Sequence, residues 1–128
     1  MPTPASFDYS ILRVVPRVER QEFINAGVVV FCPEKRFLGA RIRLDAQRMK
    51  ALWLEADVEL AREHLEAVRR ICEGDADGGP IARLSQRERF HWIVSPRSTI
   101  IQPSPVHTGV CDATDDLLDR LERQFLSP

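Results

Sequence analysis

A chain of 128 residues, 44% hydrophobic and 29% charged, has room for one core and the composition of a folded globular domain rather than a disordered one. No apolar run is long enough to span a bilayer, and the opening MPTPASFDYS has neither the basic nor the hydrophobic region of a secretory leader, which points to the cytoplasm. Cys32, Cys72 and Cys111 are odd in number and form no C-x-x-C pair, so neither a disulfide framework nor a zinc ribbon is suggested, and the net charge of −1 conceals a segregation taken up below.

The whole chain reads as one domain, residues 1–128, with 1–7 as a flexible tail. Tyr9–Val15 is rich in β-branched and apolar residues and stops at Pro16, which predicts a strand. Val28–Cys32 is apolar at every position, the mark of an interior strand covered on both faces. Pro33–Arg36 predicts a hairpin turn, after which Leu38, Ala40, Ile42 and Leu44 alternate with Phe37, Gly39, Arg41 and Arg43, burying one face of a third strand and turning two arginines to the other. Asp45 can cap a short helix through Gln47, Met49 and Trp53. Over Asp57–Glu73 the apolar residues Val58, Ala61, Leu65, Val68 and Cys72 recur at three- and four-residue steps, predicting a longer helix on which Glu66 can pair with Arg70.

A loop follows through Gly74, Gly78, Gly79 and Pro80. Arg89–Ser95 alternates again, with Phe90, Trp92 and Val94 on one side, and is read as a strand; Ser98–Gln102 is read as another short one. Pro103-Ser-Pro105 is a stiff connection whose prolines cannot join a central ladder. The last element is a helix with Asp112 as its cap, Asp115 three residues on, and Leu117, Leu118, Leu121 and Phe125 as its stripe. The fold class expected is therefore α+β: an antiparallel or mixed sheet of four to five strands with two main helices on one face.

Charge follows these elements. Residues 1–50 carry nine basic and five acidic groups and 81–111 carry four and one, whereas 51–80 carry three and eight and 112–128 two and five. Strands and loops are thus basic and helices acidic, so helices gathered on one side would leave Arg13, Arg41, Arg43, Arg89 and Arg97 on an open basic face that attracts polyanions. The densest polar stretch is Ser95–Gly109, where Arg97 can grip an anion bidentately, Ser98 and Thr99 can donate hydroxyls, and Gln102 and His107 stand near in sequence. There is no Walker loop and no dinucleotide fingerprint. His107 and Cys111 fit no standard zinc spacing, a Ser98, His107 and Asp112 triad lacks a nucleophile elbow, and so no metal, cofactor or catalytic residue is assigned.

Two stretches resemble a known family: Tyr9–Pro16 with Glu22–Pro33, and Phe90–Gly109. The chain is similar there to the uncharacterised bacterial family catalogued as domain of unknown function 3037. The resemblance implies no activity and no catalytic residues, only a setting, a kinase-like protein as neighbour and partner. The reading that results is a non-enzymatic binding or regulatory module with a basic surface for an anionic ligand, nucleic acid or protein partner. The alternative is a small enzyme acting on a phosphorylated or nucleotide-like substrate, with Arg97 stabilising charge and His107 or His91 exchanging protons.

Overall fold

The computed structural model describes residues 4–97, 99–112 and 116–126. Five strands form one open antiparallel sheet: β1 (Ala5–Val14), β2 (Ile24–Cys32), β3 (Phe37–Ile42), β4 (Ile101–Pro103) and β5 (His107–Cys111). The order is β3-β2-β1-β4, and β5 also pairs with β1, so β4 and β5 follow one another along the same side of β1. Four helices complete the fold: α1 (Ala46–Leu52), α2 (Val58–Glu73), α3 (Gln86–Val94) and α4 (Leu117–Phe125). The α+β class and the interior place of Val28–Phe31, on β2 between β1 and β3, agree with the sequence reading.

The two main helices do not share a face. Val29 and Phe31 pack with Leu12, Val14 and the α2 residues Ala61, Leu65, Val68, Ile71 and Cys72. Val28, Val30 and Cys32 point the other way, to Phe7, Ile11 and the α4 residues Leu117 and Leu121. A strand that is apolar at every position needs a layer on each side, so the run that marks β2 as interior is also what divides the helices. Of the expected stripes, Ala61, Leu65, Val68 and Cys72 of α2 and Leu117 and Leu121 of α4 are buried, and Val58, Leu118 and Phe125 are partly buried.

Local chemistry places the elements. Asp45, Asp57 and Ser85 accept hydrogen bonds from Arg48, Leu60 and Glu88 backbone N–H groups at the starts of α1, α2 and α3. On α2, Glu66 pairs with Arg69 and not with Arg70, and Arg69 also reaches Glu73 at 2.7 Å. A bulge where Leu12 and Arg13 of β1 meet Gly27 and Asn25 of β2 resets the alternation of β2, so that Asn25 lies with Arg13 on the α4 side. Between β4 and β5, Ser104 bridges a gap that two prolines create. Its N–H donates to Ile11 O (2.8 Å) and its hydroxyl oxygen accepts from Ile11 N–H (2.8 Å), while the hydroxyl of buried Ser10 donates to Ser104 O.

Four expectations need correction. Arg89–Ser95 is not a strand: it falls mostly in α3, where Phe90 and Ile93, three apart, are buried and Trp92 is half-exposed. The short strand is Ile101–Pro103, later than expected, with Pro103 on the outer side of the sheet, and a strand at His107–Cys111 was not foreseen. Ala5 to Phe7 are not a tail, because β5 pairs with β1 from Ala5 to Tyr9. The last helix begins at Leu117 after Asp116, so Asp112 is not its cap; Asp115, like Ser98, lies outside the described residues.

Candidate anion site

The arginines foreseen as one basic face are distributed around the molecule. Arg41 and Arg43 do lie opposite Leu38, Ala40 and Ile42, but α4 covers that side and brings carboxylates with it. The Arg41 guanidinium donates to Asp119 Oδ1 at 2.6 Å and Glu122 Oε1 at 3.0 Å, and Arg43 lies 3.7 Å from Glu122 Oε2. The hydrogen bond to Asp119, foremost, raises the Arg41 pKa above its ordinary value. Arg13 stacks over the Phe23 ring at 4.3 Å.

Arg89 is buried in α3 and serves structure. Its Nη1 donates to Ile71 O (2.9 Å) and Cys72 O (3.0 Å), and its Nε to Leu84 O (3.0 Å). Ile71 O and Cys72 O are terminal carbonyls of α2, where Gly74 turns the chain with φ of 67°. A cation there donates to carbonyls at the helix end, of which Ile71 O accepts also from Gly74 N–H, and complements the negative end of the helix dipole.

Arg97 is different. It sits just beyond α3, half-buried, with its guanidinium 4.6 Å from the centre of the Trp92 ring. Nη2 donates to Trp92 O, and Nε donates to Ser95 O at 3.3 Å. Among the described residues it has no carboxylate partner, and burial lowers its pKa from the usual arginine value. Stacking on an indole and bonds to main-chain carbonyls hold the group in place without neutralising it.

Arg97 lines a cleft of about 90 Å³ on the α2 side of the sheet, together with His64, Ala67, Val68, Ile71, Trp92, Thr99 and Ile101. Val68, Ile71 and Ile101 are buried and supply an apolar floor. Thr99 is present, but its hydroxyl donates to Ile101 O at 2.9 Å, so its proton is already committed. Gln102 braces the segment from β4, its Nε2 donating to Thr99 O at 2.9 Å, and is not a wall of the cleft. His107 is not brought to Arg97: on β5 its ring faces Tyr9 at 5.5 Å, and Tyr9 in turn meets Phe125 of α4, on the other side of the sheet. His91 is exposed on α3 and does not line the cleft either.

Two wall residues, His64 and Trp92, escaped the sequence reading. The available signal was spacing: Leu60, His64, Ala67 and Ile71 lie along one flank of α2, the flank that meets the segment after α3. A larger cleft of about 310 Å³ lies at the start of α1, lined by Asn25, Arg43, Leu44, Asp45, Ala46, Gln47, Arg48 and Leu126. Its Arg43 is beside Glu122 and its Asp45 caps α1, so it offers a less definite anion site than Arg97.

Comparison with family models decides membership. The model described as "Protein of unknown function (DUF3037)" matches residues 9–126. The chain belongs to this family. The match takes in all four helices and β2 to β5, along with most of β1, so both Arg97 and His64 fall within it. No curated protein and no solved structure gives a significant match. No helix among the described residues is long and apolar enough to cross a membrane.

Proposed function

We propose that this DUF3037 chain is a binding module, without chemistry of its own, that holds an anionic group of its ligand at Arg97. The observation that carries the proposal is a half-buried guanidinium oriented by Trp92 and by two backbone carbonyls, with no carboxylate partner among the described residues. Keeping an unneutralised cation half out of water costs stability, and a ligand anion returns that cost as affinity. An extended polyanion is a poorer fit, because it needs a row of open cations and Arg41 and Arg43 are engaged by α4.

The test is a titration of isotopically labelled protein with sodium phosphate and with sodium acetate, followed by backbone and arginine Nε–H nuclear magnetic resonance. The expected result is saturable shifts confined to the α2 flank around His64–Ile71 and to residues 92–101, absent in Arg97→Gln. Shifts spread evenly over the surface arginines, or unchanged in that variant, would overturn the proposal.

A further inference from the structure

The cleft specifies more than a negative charge. From its donors and its floor we infer that the ligand is a monocarboxylate bearing a short branched apolar substituent, such as a free branched-chain acid or a peptide ending in an aliphatic residue. This inference rests on Arg97 being the anion site.

The donor count argues for a carboxylate over a phosphoryl group. Of the five guanidinium N–H groups, Nε and one on Nη2 are spent on Ser95 O and Trp92 O, which occupies the side fork of the group. Three N–H groups are left: the end fork, one from each terminal nitrogen, whose spacing fits the two oxygens of one carboxylate, and a second on Nη1 that points back along the side chain. Thr99 cannot add a donated proton without releasing Ile101 O. The ring of His64 and the indole N–H of Trp92, which make no hydrogen bond among the described residues, are the other side-chain polar groups of the described wall. A phosphoryl dianion, with three acceptor oxygens and nearly twice the charge, asks for more donors than that fork supplies.

The floor argues for the apolar substituent. Beside the cation the cleft offers Val68, Ile71 and Ile101 with Ala67 and Trp92, and among the described residues no second arginine, lysine or carboxylate. An ion placed there alone would face aliphatic carbon, whereas an aliphatic group gains by leaving water. The space of about 90 Å³ suits a few heavy atoms. It falls well below the roughly 300 Å³ at which pockets for cofactor-sized molecules begin, so a whole nucleotide is not enclosed. Leu60, 41% exposed and one turn before His64, extends the apolar flank outward along α2, where preceding residues of a peptide would lie.

The experiment is calorimetric titration of the full chain with sodium acetate, sodium isovalerate, isovaleramide, inorganic phosphate, and a tripeptide ending in leucine as free acid or amide. Isovalerate is expected to bind about tenfold tighter than acetate, from partial burial of its extra carbons. The uncharged amide should bind at least about tenfold more weakly, for want of a charge to meet Arg97. Arg97→Gln should lose isovalerate binding, and Ala67→Asp, a change at an exposed position, should weaken it through like charge. If the free-acid tripeptide exceeds isovalerate and its amide does not bind, the source is a peptide terminus; if isovalerate matches it, a free acid suffices. Acetate or phosphate binding at Arg97 as tightly as isovalerate would overturn this inference and leave the anion module standing. Binding of no probe through Arg97 would overturn both.

Discussion

Replacing Arg89 by methionine should destabilise the domain by about 2–4 kcal/mol, because one side chain closes the end of α2 against α3. The variant keeps most of the aliphatic stem and removes three hydrogen bonds, to Ile71 O, Cys72 O and Leu84 O, made by a residue only 9% exposed. Hydrogen bonds from a charged donor contribute about 1.5–3 kcal/mol each, so the gross loss is larger than the net. Two effects offset it: the guanidinium is no longer desolvated, and carbonyls near exposed Gly74 and Leu84 can recruit water. In a domain of this size about 3 kcal/mol corresponds to a fall in Tm of roughly 10 °C. Urea unfolding followed by far-ultraviolet circular dichroism measures the loss, with Arg83→Met, an exposed position, as a control expected to stay within about 0.5 kcal/mol. A loss below about 1 kcal/mol in Arg89→Met would refute the assignment of Arg89 as the cap of α2.

Other consequences concern the opposite face and the thiols. The double substitution Arg41→Glu and Arg43→Glu sets like charges against Asp119 and Glu122, and urea unfolding should show a loss of about 1–3 kcal/mol that shrinks in high salt. An unchanged midpoint would mean that α4 is not held by these pairs. Cys72, its pKa pushed up to about 12 by burial, should resist iodoacetamide in the native protein at pH 8 and react only on unfolding, as mass spectrometry would show. Because its thiol ionises later in the folded state than in the unfolded one, the associated stability is complete below about pH 9 and is lost as pH rises toward 12. Gly109→Ala should displace β5, since a Cβ there would lie 2.6 Å from the Phe7 ring; unaltered amide exchange at residues 107–111 would contradict that contact.

What the sequence made legible follows from how each element is stabilised. The strand at Val28–Cys32 and the helix at Asp57–Glu73 are readable because burial itself imposes their periods. The segment Arg89–Ser95 misleads because Arg89 is buried for its hydrogen bonds and Trp92 is half-exposed beneath Arg97, so its polarity pattern does not report its faces. Its true signal lay upstream, in Ser85 and Glu88: the Ser85 hydroxyl accepts from Glu88 N–H and donates to the Glu88 carboxylate at 2.9 Å, a helix start. The strand His107–Cys111 is mostly exposed and contains glycine, so its formation depends on backbone pairing with β1 that no local pattern encodes. Within the site, Arg97 and Thr99 could be singled out by composition, but His64 and Trp92 come from helices whose contact is a tertiary fact. The basic face failed for a related reason: charge counted by segment says which elements carry it, not which elements meet, and α4 meets β3.

The claim that anion recognition belongs to Arg97, and not to the arginines of β3 or of the segment after it, is tested most directly by titrating Arg97→Gln and Arg41→Gln in parallel with sodium isovalerate. Arg41→Gln should bind as the unaltered protein does, within about twofold, because its partner carboxylates already occupy that guanidinium. Arg97→Gln should show no saturable binding. The reverse pattern, with binding lost at Arg41 and kept at Arg97, would contradict the account.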